Sequence, residues 1–136
     1  MAGLAFRAGR MDDAMLGRVK ELAGKLEDLI EEPAAPSLLH GDLWQGNMLV
    51  RGGRIEAFID PAIYYGHAEM DLAFSTLFGT LSDSFFGAYQ EHRPIAAGFF
   101  EQRRDLYNLW PLLGHVLFFG GAYLGQVDAI LRRHNI

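Results

Sequence analysis

The fold is decided by the stretch HGDLWQGNMLVRGGRIEAFID, residues 40–60. Two runs rich in apolar residues, 48–51 and 55–59, flank the pair Gly52-Gly53. Adjacent glycines tolerate the positive φ angles of a tight hairpin turn. The sequence therefore predicts one β-hairpin, which carries a polar loop before its first strand and ends at Asp60.

Helical periodicity predicts the segment before this loop. Asp12 and Asp13 occupy the N-cap and first-turn positions, and apolar residues then recur at helical spacing as far as Ile30. Pro33 ends this amphipathic helix because proline cannot continue the hydrogen-bonding pattern. Residues 37–40 are expected to be extended.

The remainder of the chain is predicted to be helical after an irregular segment over 61–69. Helices are expected near residues 69–80, 82–92, 94–108 and 110–133. Pro94 and Pro111 suit first-turn positions, and the many aromatic side chains of these helices are expected to pack in the core. The fold class is therefore α+β with helix dominant.

Composition limits the class of protein. The 136 residues are 50% hydrophobic and 21% charged, which suits one globular domain over 1–136, with 1–15 as a poorly determined leader. Cysteine is absent, so a reducing, cytoplasmic location is expected. The net charge of -5 disfavours nucleic acid as a partner. No apolar stretch approaches the length of a membrane span.

Three oxygen-bearing side chains mark the hairpin as a candidate site. Asp42 and Asn47 lie in the loop, and Asp60 lies where the second strand ends. Phosphoryl transfer needs a carboxylate that orients the attacking hydroxyl and hard oxygen ligands for Mg²⁺. The five-residue step from Asp42 to Asn47 also occurs in the protein-kinase catalytic loop. The ordinary alternative is that these residues only cap turns.

Two segments, 38–47 and 58–73, resemble the fructosamine kinase (ketosamine-3-kinase) family, within the aminoglycoside phosphotransferase and protein-kinase-like group. The wider group shares the pattern HGDxxxxN. The position of Trp44 and the run YYGHxExDLA over 64–73 resemble the narrower family. The resemblance implies the C-terminal lobe of a protein-kinase-like fold, in which the hairpin carries the catalytic loop.

This resemblance implies a role for each of the three oxygen-bearing residues. Asp42 would be the catalytic residue that orients the hydroxyl and accepts its proton. Asn47 and Asp60 would bind Mg²⁺ and, through it, ATP.

The same resemblance implies supporting roles. His40 would brace the loop, although an ordinary core histidine is an equal alternative. Asp71 would support the loop from the next helix, with helix capping as its alternative. Trp44 would stack on a sugar or pack beneath the loop. His67 and Glu69 match the family run without a derived role.

The chain departs from a complete kinase of this group at the ATP phosphates. It contains no GxGxxG or Walker A pattern among its 16 glycines, and its lysines, Lys20 and Lys25, both lie on the first predicted helix. We therefore expect the C-terminal lobe only, as a truncated product or as the partner of a separately encoded N-terminal lobe. Little or no kinase activity is expected of the chain alone, and a homo-oligomer is a further expectation.

Four functions remain open from the sequence. The first is ATP-dependent phosphorylation of a sugar hydroxyl on a ketoamine adduct, carried by a small molecule or a protein lysine. The second is an aminoglycoside or amino-sugar phosphotransferase. The third is a non-catalytic binding or assembly module. The fourth, a metal phosphohydrolase, has candidate ligands without a compact signature: His40, Asp42, Asp60, His67 and His115.

Overall fold

The computed structural model describes residues 1–136 and has the helix-dominated α+β composition that the sequence predicts. The helices are α1 (Ala2–Arg7), α2 (Asp13–Ala23), α3 (Leu26–Leu29), α4 (Glu69–Leu77), α5 (Asp83–His92), α6 (Arg104–Phe119) and α7 (Leu124–Arg133). The strands are β1 (Ser37–Leu39), β2 (Met48–Arg51), β3 (Arg54–Phe58) and β4 (Tyr64–Gly66). Single-turn segments lie at Gln45–Asn47 and Gly121–Tyr123 (3₁₀) and at Phe99–Arg103 (π). None of the helices has the length and hydrophobicity that a bilayer span requires.

The chain divides into two compact units. The terminal unit comprises Met1–Glu31 and Asn108–Ile136, and the central unit comprises Glu32–Tyr107. The terminal unit buries Ala5, Met11, Leu16, Val19, Leu22, Leu109, Leu112, Leu113, Val116, Val127, Ile130 and Leu131. The central unit buries Leu39, Leu72, Ala73, Phe86, Phe99, Leu106 and Tyr107.

Helix α2 begins as predicted. The Asp12 carboxylate accepts a hydrogen bond from the Met15 N–H at 2.8 Å, which satisfies one of the free donors of the first turn. The helix ends earlier than predicted, because Gly24 forms its C-cap and only the single turn of α3 follows. Gly24 has a low helix propensity, and the apolar periodicity continues past it.

The first fifteen residues differ from the expected leader. Residues 2–7 form α1, and both Ala5 and Met11 are buried in the terminal unit. A short apolar run of this kind carries little sequence signal, so its order depends on the core that it joins.

The predicted break between helices at residue 109 is wrong. Helix α6 runs through Pro111, which therefore lies inside the helix and not in a first turn. Proline removes one backbone hydrogen bond, whereas Leu112, Leu113 and Val116 of the same helix are almost fully buried and hold it together. Residues 94–98, predicted as helix, precede the first helical turn at Phe99.

The hairpin prediction is confirmed. Strands β2 and β3 pair antiparallel with Met48 opposite Phe58. Gly52 and Gly53 both adopt positive φ, at 58° and 76°, which suits a two-residue turn between twisted strands. The hairpin therefore brings the end of the polar loop, at Met48, next to the end of β3, two residues before Asp60.

A second pairing was not predicted from the sequence. Strands β1 and β4 pair antiparallel with Ser37 opposite Gly66, so the chain on either side of the hairpin returns to one place. Each strand has three residues, which is too short to give a periodic signal. This small sheet holds both ends of the hairpin segment together.

The expectation that the helix aromatics are core residues holds only in part. Phe86, Phe99 and Tyr107 are buried. Trp110, Phe118 and Phe119 of α6 are 58%, 69% and 69% exposed. Aromatic content alone does not tell which face of a helix is covered.

The end of α6 gives a stability prediction. Gly120 has φ 87° and ψ −160°, a region that residues with a Cβ almost never adopt. We expect Gly120→Ala to destabilise the chain by about 1–3 kcal/mol in chemical denaturation. Gly114→Ala, inside α6 where a Cβ meets nothing within 4 Å, is the matched control. It is expected to stabilise by about 0.5–1 kcal/mol, and equal effects of the two changes would contradict this assignment.

Candidate functional site

The polar loop closes tightly against the segment that follows the hairpin. Gly41 has φ 80°, and a Cβ placed there would collide with the carbonyl oxygen of Ala62 and the ring of Tyr64. Only glycine fits this approach. The loop therefore lies directly against the backbone that continues from Asp60.

His40 connects the loop to both sides of Asp60. Its Nδ1 accepts the Asp42 N–H at 3.3 Å, so the ring proton lies on Nε2, which donates to the Ile59 carbonyl at 3.0 Å. The backbone carbonyl of His40 accepts the Ala62 N–H at 2.8 Å. The imidazole and the main chain of one residue thus hold the chain just before and just after Asp60.

Asp71, in the first turn of α4, holds the loop from the other side. Its two carboxylate oxygens accept the backbone N–H groups of His40 at 2.7 Å and Gly41 at 2.9 Å. Hydrogen bonds to a charged acceptor are stronger than neutral ones. The loop backbone is thereby attached to a helix.

Asp42 and Asn47 are brought into direct contact. The Asn47 amide nitrogen donates to both the carbonyl oxygen and Oδ2 of Asp42, each at 2.9 Å, and Asn47 is only 6% exposed. The pair engages the amide nitrogen and one carboxylate oxygen. The amide oxygen of Asn47 and Oδ1 of Asp42 are therefore the atoms suited to a ligand.

Asp60 is exposed and has a strained backbone. Its φ is +49°, one of two positive values among the non-glycine residues, the other being Asn135 near the C-terminus. The preceding Ile59 N–H donates to the Asn47 carbonyl at 3.0 Å. The strain is held by contacts with the loop, and strained residues of this kind cluster at functional sites.

Trp44 packs against the loop, which is one of the two arrangements expected for it. A Cβ on Gly46 would collide with the indole, so the ring covers the loop backbone at that point. The residue is nevertheless 39% exposed. Part of its apolar surface is therefore available to a ligand.

The structure also contains a buried charged group that sequence reasoning missed. Glu69 is 4% exposed and binds Arg103 through two hydrogen bonds, from Nε at 2.8 Å and from Nη2 at 2.7 Å. The rings of His67 and Tyr107 lie 5.5 Å apart. Arg103 lies 34 residues after Glu69, and no local spacing in the sequence signals this pairing.

Burial sets the protonation of the two rings in this group. It raises the pKa of Tyr107 to about 12, with the Glu69 charge adding to the effect, so the phenol stays neutral. Burial also lowers the pKa of His67, which Arg103 and Arg93 lower further and Glu69 opposes. Nδ1 of His67 accepts the Glu69 N–H at 3.1 Å, which requires that nitrogen to be unprotonated.

The donor set at the loop suits Mg²⁺ shared with phosphates. No three His, Cys, Asp or Glu side chains of the chain are grouped to hold a metal. Mg²⁺ is commonly held by one or two carboxylates together with substrate phosphates rather than by a closed protein cage. The carboxylate of Asp60 and the amide oxygen of Asn47 have the required chemistry.

Comparison with known proteins identifies the family. Residues 4–135 match the family described as fructosamine kinase. The chain belongs to the fructosamine kinase family. A "Probable ketoamine kinase" of Lactiplantibacillus plantarum is 43% identical over 109 residues, which are 80% of this chain and 39% of that protein. The "Ketosamine-3-kinase" of Mus musculus is 42% identical over 109 residues, 79% of this chain and 35% of that protein.

A solved structure agrees with this assignment to the fructosamine kinase family. A "putative fructosamine-3-kinase" from Thermobifida fusca superposes with a TM-score of 0.89 at 36% identity. The match covers 97% of this chain and 46% of that one. The chain spans roughly two fifths of the length of the two curated relatives, at 39% and 35%.

The lowered pKa of His67 gives a pH prediction. The unfolded chain binds the second imidazole proton of His67 more tightly than the folded chain does. The stability that neutral His67 contributes to the fold is therefore present in full above 6.5, the ordinary pKa of histidine. It is lost as the pH falls through the lower folded pKa. We therefore compare the thermal unfolding midpoint at about pH 7 and about pH 5. We expect this midpoint to fall less steeply with pH in His67→Asn than in the native chain.

The exposed His92 at the end of α5 supplies the matched control for this measurement. His92→Asn should retain the native pH dependence. Identical slopes for His67→Asn and the native chain would contradict the assignment.

Proposed function

We propose that this chain is the C-terminal lobe of a protein-kinase-like phosphotransferase that transfers the γ-phosphate of ATP to a sugar hydroxyl of a ketoamine. The observation that carries the proposal is the contact between Asp42 and Asn47, in a loop hydrogen-bonded to the backbone on both sides of Asp60. Membership of the fructosamine kinase family supports it.

Asp42 is assigned the proton-accepting role. Oδ1 of Asp42 accepts the proton of the substrate hydroxyl while the hydroxyl oxygen bonds to the γ-phosphorus of ATP. The bond between the γ-phosphorus and the oxygen that bridges it to the β-phosphate breaks, which releases ADP. The bond from Asn47 to Oδ2 holds the carboxylate in one orientation. Positioning of this kind supplies much of the rate of phosphoryl transfer.

Asn47 and Asp60 are assigned to Mg²⁺. When bound, the cation neutralises charge on the transferring phosphates. The amide oxygen of Asn47 and the carboxylate of Asp60 are hard ligands of the type it prefers. The strained backbone of Asp60 supports this assignment, because it fixes the direction of a side chain that is otherwise exposed.

His40, Asp71 and Trp44 are assigned supporting roles. His40 and Asp71 position the loop through the hydrogen bonds described above. The exposed part of Trp44 offers an apolar face against which a sugar ring can stack. A ketoamine sugar, on a small molecule or on a protein lysine, is the proposed acceptor, in line with the names of the two relatives.

An assembly role is the second candidate, and the exposed hairpin favours it. Leu49, Val50, Ile55 and Phe58 are between 44% and 62% exposed. Large apolar side chains exposed in this number on one hairpin favour an association site. The proposed occupant is an N-terminal lobe that supplies the glycine-rich loop and the lysine for the phosphates, with a second copy of this chain as the alternative.

Calorimetric titration with Mg²⁺-ATP tests the proposal. We expect weak binding to the native chain and weaker binding to Asp60→Asn, which keeps the shape and removes one charge. Asp83→Asn, in the first turn of α5, is the control and should bind as the native chain does. Equal binding by Asp60→Asn would contradict the assignment of Asp60, and the absence of binding by any of them would favour the assembly role.

A turnover measurement tests the missing phosphate contacts. Lys20 lies on α2, and Lys25 is bound to Glu21 at 2.9 Å, so neither has the strand position of a kinase lysine. We expect the chain alone to phosphorylate a fructosamine at least about 100-fold more slowly than the ordinary kinase range of about 1–100 per second. A rate inside that range that is abolished by Asp42→Asn would contradict this expectation.

A further inference from the structure

The buried pair of Glu69 and Arg103 has more contacts than an ion pair alone. The two side chains are 6% and 16% exposed, and the two parallel hydrogen bonds fix their relative orientation. Arg103 also donates from Nη1 to the Ala97 carbonyl at 2.8 Å and from Nη2 to the Ala96 carbonyl at 3.0 Å. The guanidinium thus joins the segment before the π-turn to the side chain of Glu69.

Glu69 is the first residue of α4, and its main chain is held as well. The N-cap residue, Ala68, has no side chain that can accept from the first turn. Nδ1 of His67 accepts the Glu69 N–H instead. Side chain and main chain of Glu69 are therefore both fixed where the helix begins.

Asp71 lies two residues further along the same turn. Two residues correspond to roughly 200° around an α-helix, so Glu69 and Asp71 leave α4 on opposite sides. Glu69 is held by Arg103 on one side, and on the other Asp71 accepts the N–H groups of His40 and Gly41. A rotation or shift of this turn changes both contacts together.

We propose that Arg103 is a positioning residue, which acts through Glu69 on the first turn of α4 and so sets the Asp71 carboxylate against the loop that carries Asp42. This inference rests on the proposed function of that loop. It adds a residue far in sequence from the loop to the machinery that orders it.

The alternative is that the pair only stabilises the fold. Replacing a buried ion pair by apolar residues of similar volume is often neutral or stabilising, so burial of charge is weak evidence for stability. A fork-to-carboxylate pair is, however, strongly directional. The first turn of α4 must have a fixed orientation if Asp71 is to accept hydrogen bonds from two successive N–H groups, and a directional pair can provide it.

Amide hydrogen exchange followed by NMR distinguishes a positioning role of Arg103 from a purely stabilising role of the pair. The variants are Arg103→Met and the double variant Glu69→Gln with Arg103→Met, in which no unpaired buried charge remains. Asp71→Asn gives the size of the effect when the acceptor itself is altered. Lys25→Met, which breaks the exposed pair with Glu21, is the matched control.

In both Arg103 variants we expect the His40 and Gly41 amides to exchange at least about tenfold faster than in the native chain, approaching Asp71→Asn. In the double variant the amides of the β2–β3 hairpin should stay within about twofold of native, as should all of these amides in Lys25→Met. The double variant keeps the test decisive if Arg103→Met alone does not fold.

Two results would overturn the inference. One is native exchange at His40 and Gly41 in the double variant. The other is an increase in the exchange rates of His40 and Gly41 that is matched by the same increase in the hairpin amides, because this would indicate a general loss of stability. Neither readout involves nucleotide, so failure of Mg²⁺-ATP to bind would count against the proposed function, whereas the exchange rates test the link from Arg103 to the loop backbone by themselves.

Discussion

The carboxylate of Asp71 is the contact on which the candidate site depends. It accepts two successive backbone N–H groups, from His40 and Gly41, and so attaches an irregular loop to the first turn of a helix. A loop has no ladder of hydrogen bonds of its own, and its buried donors need partners from elsewhere. One charged acceptor that satisfies two donors fixes both the position and the direction of the chain at the point where Asp42 follows.

Several further constraints depend on that attachment. Gly41 must lack a Cβ because the loop then lies against Ala62. His40 contacts the Ile59 carbonyl from this position, and Asp60, at a positive φ, lies between neighbours that are hydrogen-bonded to the loop. The strain at Asp60 is therefore offset by contacts that the loop provides, in the way expected where a side chain must point in one direction.

Features set by local chemistry were predictable from the sequence, and features set by distant partners were not. The paired glycines gave the hairpin, and Asp12 gave the start of α2, because both signals lie within a few residues. Pro111 misled because the buried residues around it outweigh one lost hydrogen bond. The pairing of β1 with β4 and of Glu69 with Arg103 joins residues far apart in sequence, which no periodicity records. Asp42, Asn47 and Asp60 were singled out as a candidate site by their order and spacing, whereas no spacing in the sequence singles out Arg103.

Every hydrogen bond described around Asp42, Asn47, Asp60 and Asp71 is made within the central unit, Glu32–Tyr107. The groups proposed to act on the hydroxyl and on Mg²⁺ are thus ordered by one compact unit. A glycine-rich loop and a lysine act on the phosphates themselves, not on the backbone contacts that fix these carboxylates. The two tasks of phosphoryl transfer, holding the acceptor side and holding the nucleotide, are physically separable. The contacts that order the proposed acceptor side of the site are therefore distinct from those that a glycine-rich loop and a lysine would make with the phosphates.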